Sequence, residues 1–197
     1  LPPSSRDVLK ALEDYQDLDD DSEWRKPWRN SGDYWQNLVG IIMSRGMDTP
    51  VISGQWSNIK NMWATPEAYI KDQNHDDDSP RLNALVAYGL RHLDPQFRRL
   101  AEFIESGDPD STNPETIAND ILDIDGLTPA MVEEALLLSG RSETVTGQAP
   151  SRRMAARLYG ESSWENNMNS RMLLTRSLGD VVEADRYGRF IEISEEF

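Results

Sequence analysis

Apolar positions recur at helical spacing along nearly the whole chain. In residues 7–17, Val8, Leu9, Leu12 and Tyr15 make one stripe, which Asp19-Asp20-Asp21 ends. Residues 24–29 (WRKPWR) read as an aromatic–basic turn. Residues 34–44 (YWQNLVGIIMS) are apolar enough for a buried helix, and residues 53–63 give another with Ile59, Met62 and Trp63 on one side. Thr65-Pro66-Glu67 is a helix start, with Thr as N-cap and Pro at the first helical position. After a polar loop at 72–80 (DQNHDDDSP), the spacing predicts helices over 81–91 and 95–106. A linker at 107–113 leads to a short helix opened by Pro114, a tight turn at 125–128 (DGLT), and helices over 129–139, 149–160 and 163–178. Only residues 189–194 alternate as a short strand would. The pattern predicts an all-α protein of roughly nine or ten helices, with no internal repeat and no low-complexity tract.

Composition narrows the chemistry. The chain has 197 residues, 38% of them hydrophobic, enough for a sizeable core and too apolar for wholesale disorder. It contains no cysteine, which excludes disulfides, an iron–sulfur cluster and a thiolate zinc site. With only His75 and His92, a histidine metal site or triad is not expected either, and no cofactor is implied. The acidic loop around Asp76-Asp77-Asp78 reads as a solvated loop. No apolar run reaches membrane-spanning length and the first residues lack a signal pattern, so a cytoplasmic protein with no membrane partner is expected.

The formal charge of −15 argues at first against nucleic acid. Its distribution changes that. Residues 24–63 hold Arg25, Lys26, Arg29, Arg45 and Lys60 against Asp33 and Asp48, and residues 141–160 hold four Arg against Glu143. Residues 100–134 hold ten acids and no base. Two cationic walls on an acidic body are expected, with weak and strongly salt-dependent DNA binding.

Four stretches, in order, resemble one family. IDGLTPAMV (124–132), between two predicted helices, looks like a helix-hairpin-helix turn. GQAPSRRMAARLYG (147–160) resembles the segment after that hairpin in the endonuclease III and adenine glycosylase family, with Arg153 and Arg157 matching its basic helix. NLVGIIMSRGMDTP and ATPEAYI resemble the family's first core helix and Thr-Pro helix start, and Tyr88-Gly89-Leu90 with residues 95–104 its next helices. The resemblance covers about residues 30 to 160. It implies a two-lobed helical glycosylase-like fold with a cleft between the lobes, into which a base of double-stranded DNA is flipped. It also implies that the backbone N–H groups of Gly126, Leu127 and Thr128 hold a DNA phosphate. The organisation expected is an N-terminal helix and arm over 1–33, the helical domain over 34–180, and a C-terminal tail over 181–197.

The departures from that family are informative. Its catalytic aspartate falls on Gln148, and its lysine nucleophile on Ala130. The hairpin's usual Pro is Asp125, and its second Gly is Thr128. Glu143 or Asp48 could supply a displaced carboxylate. These losses resemble the branch, known from phage and related sources, that builds hypermodified thymines by replacing pyrophosphate on an activated 5-hydroxymethyluracil with an amine or amino acid. The expected roles follow from residue chemistry. Arg45, Arg152 and Arg153 neutralise the pyrophosphate, Gln148 hydrogen-bonds the flipped base, and Asp48 holds or deprotonates the amine. Trp56 is a candidate for base stacking, and Arg157 for substrate binding. The alternatives are a divergent base-excision glycosylase and a non-catalytic DNA-binding domain of the same fold. Blander readings stand beside these: Gln148 as a helix-start residue, Arg153 and Arg157 as partners of Glu161, Asp48 as a turn cap, and the tryptophans as core.

Overall fold

The computed structural model describes residue 10 and residues 24–72, 79–141, 188–189 and 191–192. Seven helices carry the described part: α1 (Tyr34–Met43), α2 (Thr49–Met62), α3 (Pro66–Lys71), α4 (Pro80–Ala87), α5 (Asp94–Glu105), α6 (Thr116–Leu122) and α7 (Pro129–Leu138). Short 3-10 turns lie at Pro27–Asn30, Arg91–Leu93 and Pro109–Thr112. No strand occurs among the described residues, and the fold is all-α there.

Local sequence sets where the helices start. Asp33 caps α1, its Oδ1 accepting the Gln36 N–H at 2.8 Å. Thr65 caps α3 by accepting the Ala68 N–H at 3.0 Å, and Ser79 caps α4 by accepting the Leu82 N–H at 3.0 Å. Helix α2 begins four residues before the expected 53, with Asp48 at its N-cap. Pro50 hid that start: it disfavours helix at the residue before it, but in a first turn the N–H it lacks has no helical partner anyway. Helix α4 ends at Ala87 with Tyr88 as its C-cap, short of the expected 91, and Gly89 leaves it with φ +71. Helix α6 is π-helical, closed by the Asp123 N–H on the Ala118 carbonyl at 3.0 Å.

One expectation is corrected. Residues 188, 189, 191 and 192 are helical, not strand. Helical spacing brings Arg189 and Glu192 together, Nη1 to Oε2 at 3.4 Å, while Ile191 is buried. The helices expected over 149–160 and 163–178, and that over 7–17 apart from helical Lys10, lie outside the described residues.

The core forms around α1, which is buried along its whole length. Trp28 lies flat on it because residue 40 is glycine: a Cβ there would sit 2.2 Å from the Trp28 ring. Trp28 also meets Trp56, ring centroids 5.8 Å apart. A second aromatic group, Trp35, Trp63, Tyr69 and Phe97, fills the space between α1, α3 and α5. Burying each such side chain stabilises the fold by roughly 1.5–3 kcal/mol. Polar clasps fix the packing. The Trp35 indole and the Gln36 amide both donate to the Trp63 carbonyl, at 2.8 and 2.9 Å. The Tyr69 hydroxyl donates to Asp94 at 2.7 Å, while Arg81 donates to the Tyr69 carbonyl at 2.6 Å and lies over its ring. Burial and the Asp94 carboxylate hold the Tyr69 hydroxyl well above the usual tyrosine range. Two contacts join distant parts of the chain: Arg29 Nε to Glu134 Oε1 at 2.6 Å, and the Lys26 N–H to Glu192 Oε1 at 2.7 Å.

Candidate functional site

Three turns converge beside α1. Residues 44–48 link α1 to α2, and the Arg45 guanidinium donates from Nη1 to the Gly126 carbonyl at 3.0 Å. On the other side the same turn meets the segment after α4: a Cβ on Gly46 would lie 2.4 Å from Leu90 Cδ2. The segments 44–48, 88–92 and 123–128 therefore share one surface, with Arg45, Arg91, His92 and Gly126 exposed on it.

The α6–turn–α7 unit is a helix, a tight turn and a helix, as its sequence suggests. Gly126 takes φ +74, a conformation in which glycine carries no steric penalty. Thr128, standing where a second glycine was expected, has φ −120 and needs no glycine. Among the described residues, the one that adopts a left-handed conformation without being glycine is Asp123, φ 46, which closes α6. Leu127 departs from its expected role. Its side chain is buried, and its N–H bonds to the Ile124 carbonyl at 3.0 Å rather than facing a ligand. Asp120, Asp123 and Asp125 are all exposed around this turn, so the local field opposes an anion, with Arg45 set against it.

Other expected site residues fall as follows. Asp48 is exposed at the N-cap of α2, and its carboxylate makes no capping hydrogen bond. Next to it a cleft of about 460 Å³ opens, lined by Trp24, Arg25, Thr49, Pro50 and Ser53. Trp56 is not placed for stacking on a base: it is 8% exposed and packed against Trp28 in the core, because helical spacing puts it on the same side of α2 as Ile52 and Ile59. Arg29 drops out of the expected cationic wall, since it is buried and paired with Glu134. Gln148, Arg152, Arg153, Arg157 and Glu143 lie outside the described residues. Ala130 lies in the first turn of α7.

Sequence reasoning missed Arg91 and His92. Residues 79–99 hold Arg81, Arg91, Arg98 and Arg99 against Asp94 alone, a third basic stretch that a charge count over that window reveals. Arg81 is committed to the interior with Tyr69 and Asp94, whereas Arg91, His92 and Arg99 are exposed. Among the described residues no group of three or more His, Cys, Asp or Glu could hold a metal ion, and no helix is long and apolar enough to cross a membrane. The chain matches no protein-family model and no curated protein.

Proposed function

We propose that this chain is a DNA-base-modifying enzyme that meets duplex DNA with the surface of residues 44–48, 88–92 and 123–128 and acts on a thymine derivative flipped out of the stack. One observation supports it most: Arg45 ties the end of the buried core helix to the α6–turn–α7 unit, the two segments that most resemble the glycosylase-like family. A base in a duplex is out of reach of any side chain, so an enzyme of this kind needs such a surface beside a cleft. Because three carboxylates surround the turn, the DNA contact falls to Arg45, Arg91 and His92 more than to backbone N–H groups.

The chemistry is amine transfer to a pyrophosphorylated 5-hydroxymethyluracil, with a small amine or amino acid as co-substrate. The amine nitrogen forms a bond to the exocyclic methylene carbon. The bond from that carbon to the pyrophosphate oxygen breaks, and its electron pair leaves with pyrophosphate. Asp48, whose carboxylate is free of capping duty beside the cleft, takes the proton that the new ammonium releases. Arg45, Arg152 and Arg153 offset the charge growing on the leaving group, and Gln148 reads the base edge. Gln148 and Ala130, standing in place of a carboxylate and an amine, suit a reaction that leaves the glycosidic bond intact.

The test is incubation with duplex DNA carrying the pyrophosphorylated base and a panel of amines, followed by digestion and mass spectrometry of the nucleosides. Pyrophosphate release with an amine-modified thymidine is expected, and the Arg152→Ala/Arg153→Ala variant loses it. Abasic sites in place of modified nucleosides would identify a base-excision glycosylase. Salt-sensitive DNA binding with neither product would identify a non-catalytic DNA-binding domain.

A further inference from the structure

The turn between α6 and α7 holds the one Asp-Gly step of the chain, and no Asn-Gly step occurs in its 197 residues. The Leu127 N–H bonds to the Ile124 carbonyl at 3.0 Å, which makes residues 124–127 a β-turn with Asp125 and Gly126 at its centre. Both central residues are exposed. The Gly126 carbonyl accepts from the Arg45 guanidinium at 3.0 Å. The peptide group between Asp125 and Gly126 is held by nothing comparable. Among the described residues neither its carbonyl nor the Gly126 N–H makes a hydrogen bond, and the Asp125 carboxylate has no hydrogen bond or ion pair.

A central turn peptide bonded at neither end rotates without breaking a hydrogen bond, and the glycine after it has no Cβ to resist. Rotation about the Asp125 Cα–C bond brings the Gly126 nitrogen against the Asp125 Cγ, the approach that closes a five-membered ring. We propose that Asp125 is a site of spontaneous backbone modification, converted to isoaspartate through a cyclic imide with Gly126. In the first step the Gly126 amide nitrogen bonds to Cγ of the protonated carboxyl. The bond from Cγ to its hydroxyl breaks, and the hydroxyl leaves as water with the amide hydrogen. In the second step water adds to the ring. Opening at Cγ restores aspartate. Opening at the main-chain carbonyl carbon breaks its bond to the Gly126 nitrogen and leaves the chain running through the side chain. Solvent water is the only co-reactant, and the turn is exposed to it.

Other aspartates are placed less well for this reaction. Asp94 and Asp108 precede prolines, which have no amide hydrogen to give up. Asp48 and Asp123 precede the β-branched residues Thr49 and Ile124, whose side chains crowd the attacking nitrogen. After Asp110 the Ser111 N–H is held by the Asp108 carbonyl at 2.9 Å, and Asp120 lies inside α6. At residue 125 the product carries a consequence. Isoaspartate lengthens the main chain of the turn by one methylene and leaves the net charge unchanged, so the Gly126 carbonyl is displaced from Arg45. The turn after α1 is then uncoupled from the α6–turn–α7 unit. The reaction does not depend on the function proposed above.

The full chain is incubated in warm, mildly acidic buffer below its melting temperature. It is then treated with an isoaspartyl carboxyl methyltransferase and labelled S-adenosylmethionine, which esterify the freed α-carboxyl. Label is expected to accumulate with incubation time, and electron-transfer fragmentation of the digested chain is expected to place the isoaspartate at residue 125. Asp125→Glu keeps the charge but closes no such ring, and is expected to lose the label with an unchanged melting curve, because the side chain is exposed. Asp125→Asn is expected to gain label faster, with ammonia leaving in place of water. No label in the unsubstituted chain, isoaspartate at other positions alone, or label undiminished in Asp125→Glu overturns the proposal. Arg45→Ala is expected to cost the isomerised chain no further stability. An equal loss in both forms means that the tie survives and overturns the uncoupling.

Discussion

Arg29 and Arg45 both tie the N-terminal part of the chain to the α6–turn–α7 unit, and they do so by opposite means. Arg29 lies in the 3-10 turn Pro27–Asn30 and meets the Glu134 carboxylate of α7, with side chains 2% and 5% exposed. Arg45 stands at the surface and donates to a carbonyl. A carboxylate neutralises a guanidinium; a carbonyl only orients it. The buried arginine is thus committed to the fold and adds nothing to the outer field. The exposed one keeps its charge at the surface, held in place by the Gly126 carbonyl. A basic stretch in a sequence counts both alike, and only burial and the partner's charge separate them.

Variants can break or sharpen that contrast. Glu134→Ala takes away the carboxylate that meets the buried Arg29 Nε, leaving Glu192 as the charged neighbour, and is expected to destabilise by about 3 kcal/mol in chemical denaturation. An Arg29→Met/Glu134→Leu pair should recover most of that loss, because the cost lies in a buried charge with too little compensation rather than in the missing contact. At the other tie, Gly126→Ala forces an alanine into φ +74 and is expected to cost about 1 kcal/mol. Its new Cβ would stand 3.5 Å from Arg45 Nη1, an ordinary contact, so the loss comes from the backbone. Arg45→Ala should cost less than about 1 kcal/mol of stability, as exposed polar contacts do. Under the proposed function, the same variant is expected to weaken DNA binding and to lower the dependence of log affinity on log salt by about 1. If Arg45→Ala proves as destabilising as Glu134→Ala, the two ties are alike and the surface reading of Arg45 fails.

The smallest effect is expected at Glu192. Burial holds its carboxyl above the usual range, against the N–H groups of Lys26 and Arg25 and the guanidinium groups of Arg29 and Arg189. The folded state therefore binds this proton more tightly than the unfolded chain. Its contribution is fully present below the ordinary glutamate value and is lost as pH rises through the folded one. Glu192→Gln keeps an oxygen for the Lys26 N–H and removes the desolvated charge. A slightly higher Tm at neutral pH and a flatter rise of stability toward acid are expected in thermal unfolding. A lower Tm would mean that the pairing with Arg189 outweighs burial.

Helix positions were legible where capping and periodicity agree, as in Asp33 before α1 and Thr65-Pro66 before α3. They were misread where one residue sends two signals, as Pro50 does, and where alternation is too short to fix a period, as in residues 189–194. The turn at 125–128 was found from its Gly, whereas Asp123 in a left-handed conformation carries no sequence signal of its own. For the candidate site, residue type alone could not say that Trp56 and Leu127 face inward, since facing is decided by packing against Trp28 and the core. Nor could it say which arginines are neutralised, because the partners are distant: Glu134 is 105 positions from Arg29.

That separation bears on how the chain is made. A ribosome adds about 5–20 residues per second, so Arg29 emerges roughly 5–20 seconds before the carboxylate that will neutralise it. The segment carrying Lys26 waits longer, since its acceptor Glu192 follows by 166 positions. Through that interval α1, whose ten residues are all buried in the finished fold, has neither Trp28 clamped over Gly40 by the Arg29–Glu134 tie nor α7 against its side. The N-terminal part thus waits for its far partners during synthesis, and slower translation between codons 43 and 134 should lengthen that wait.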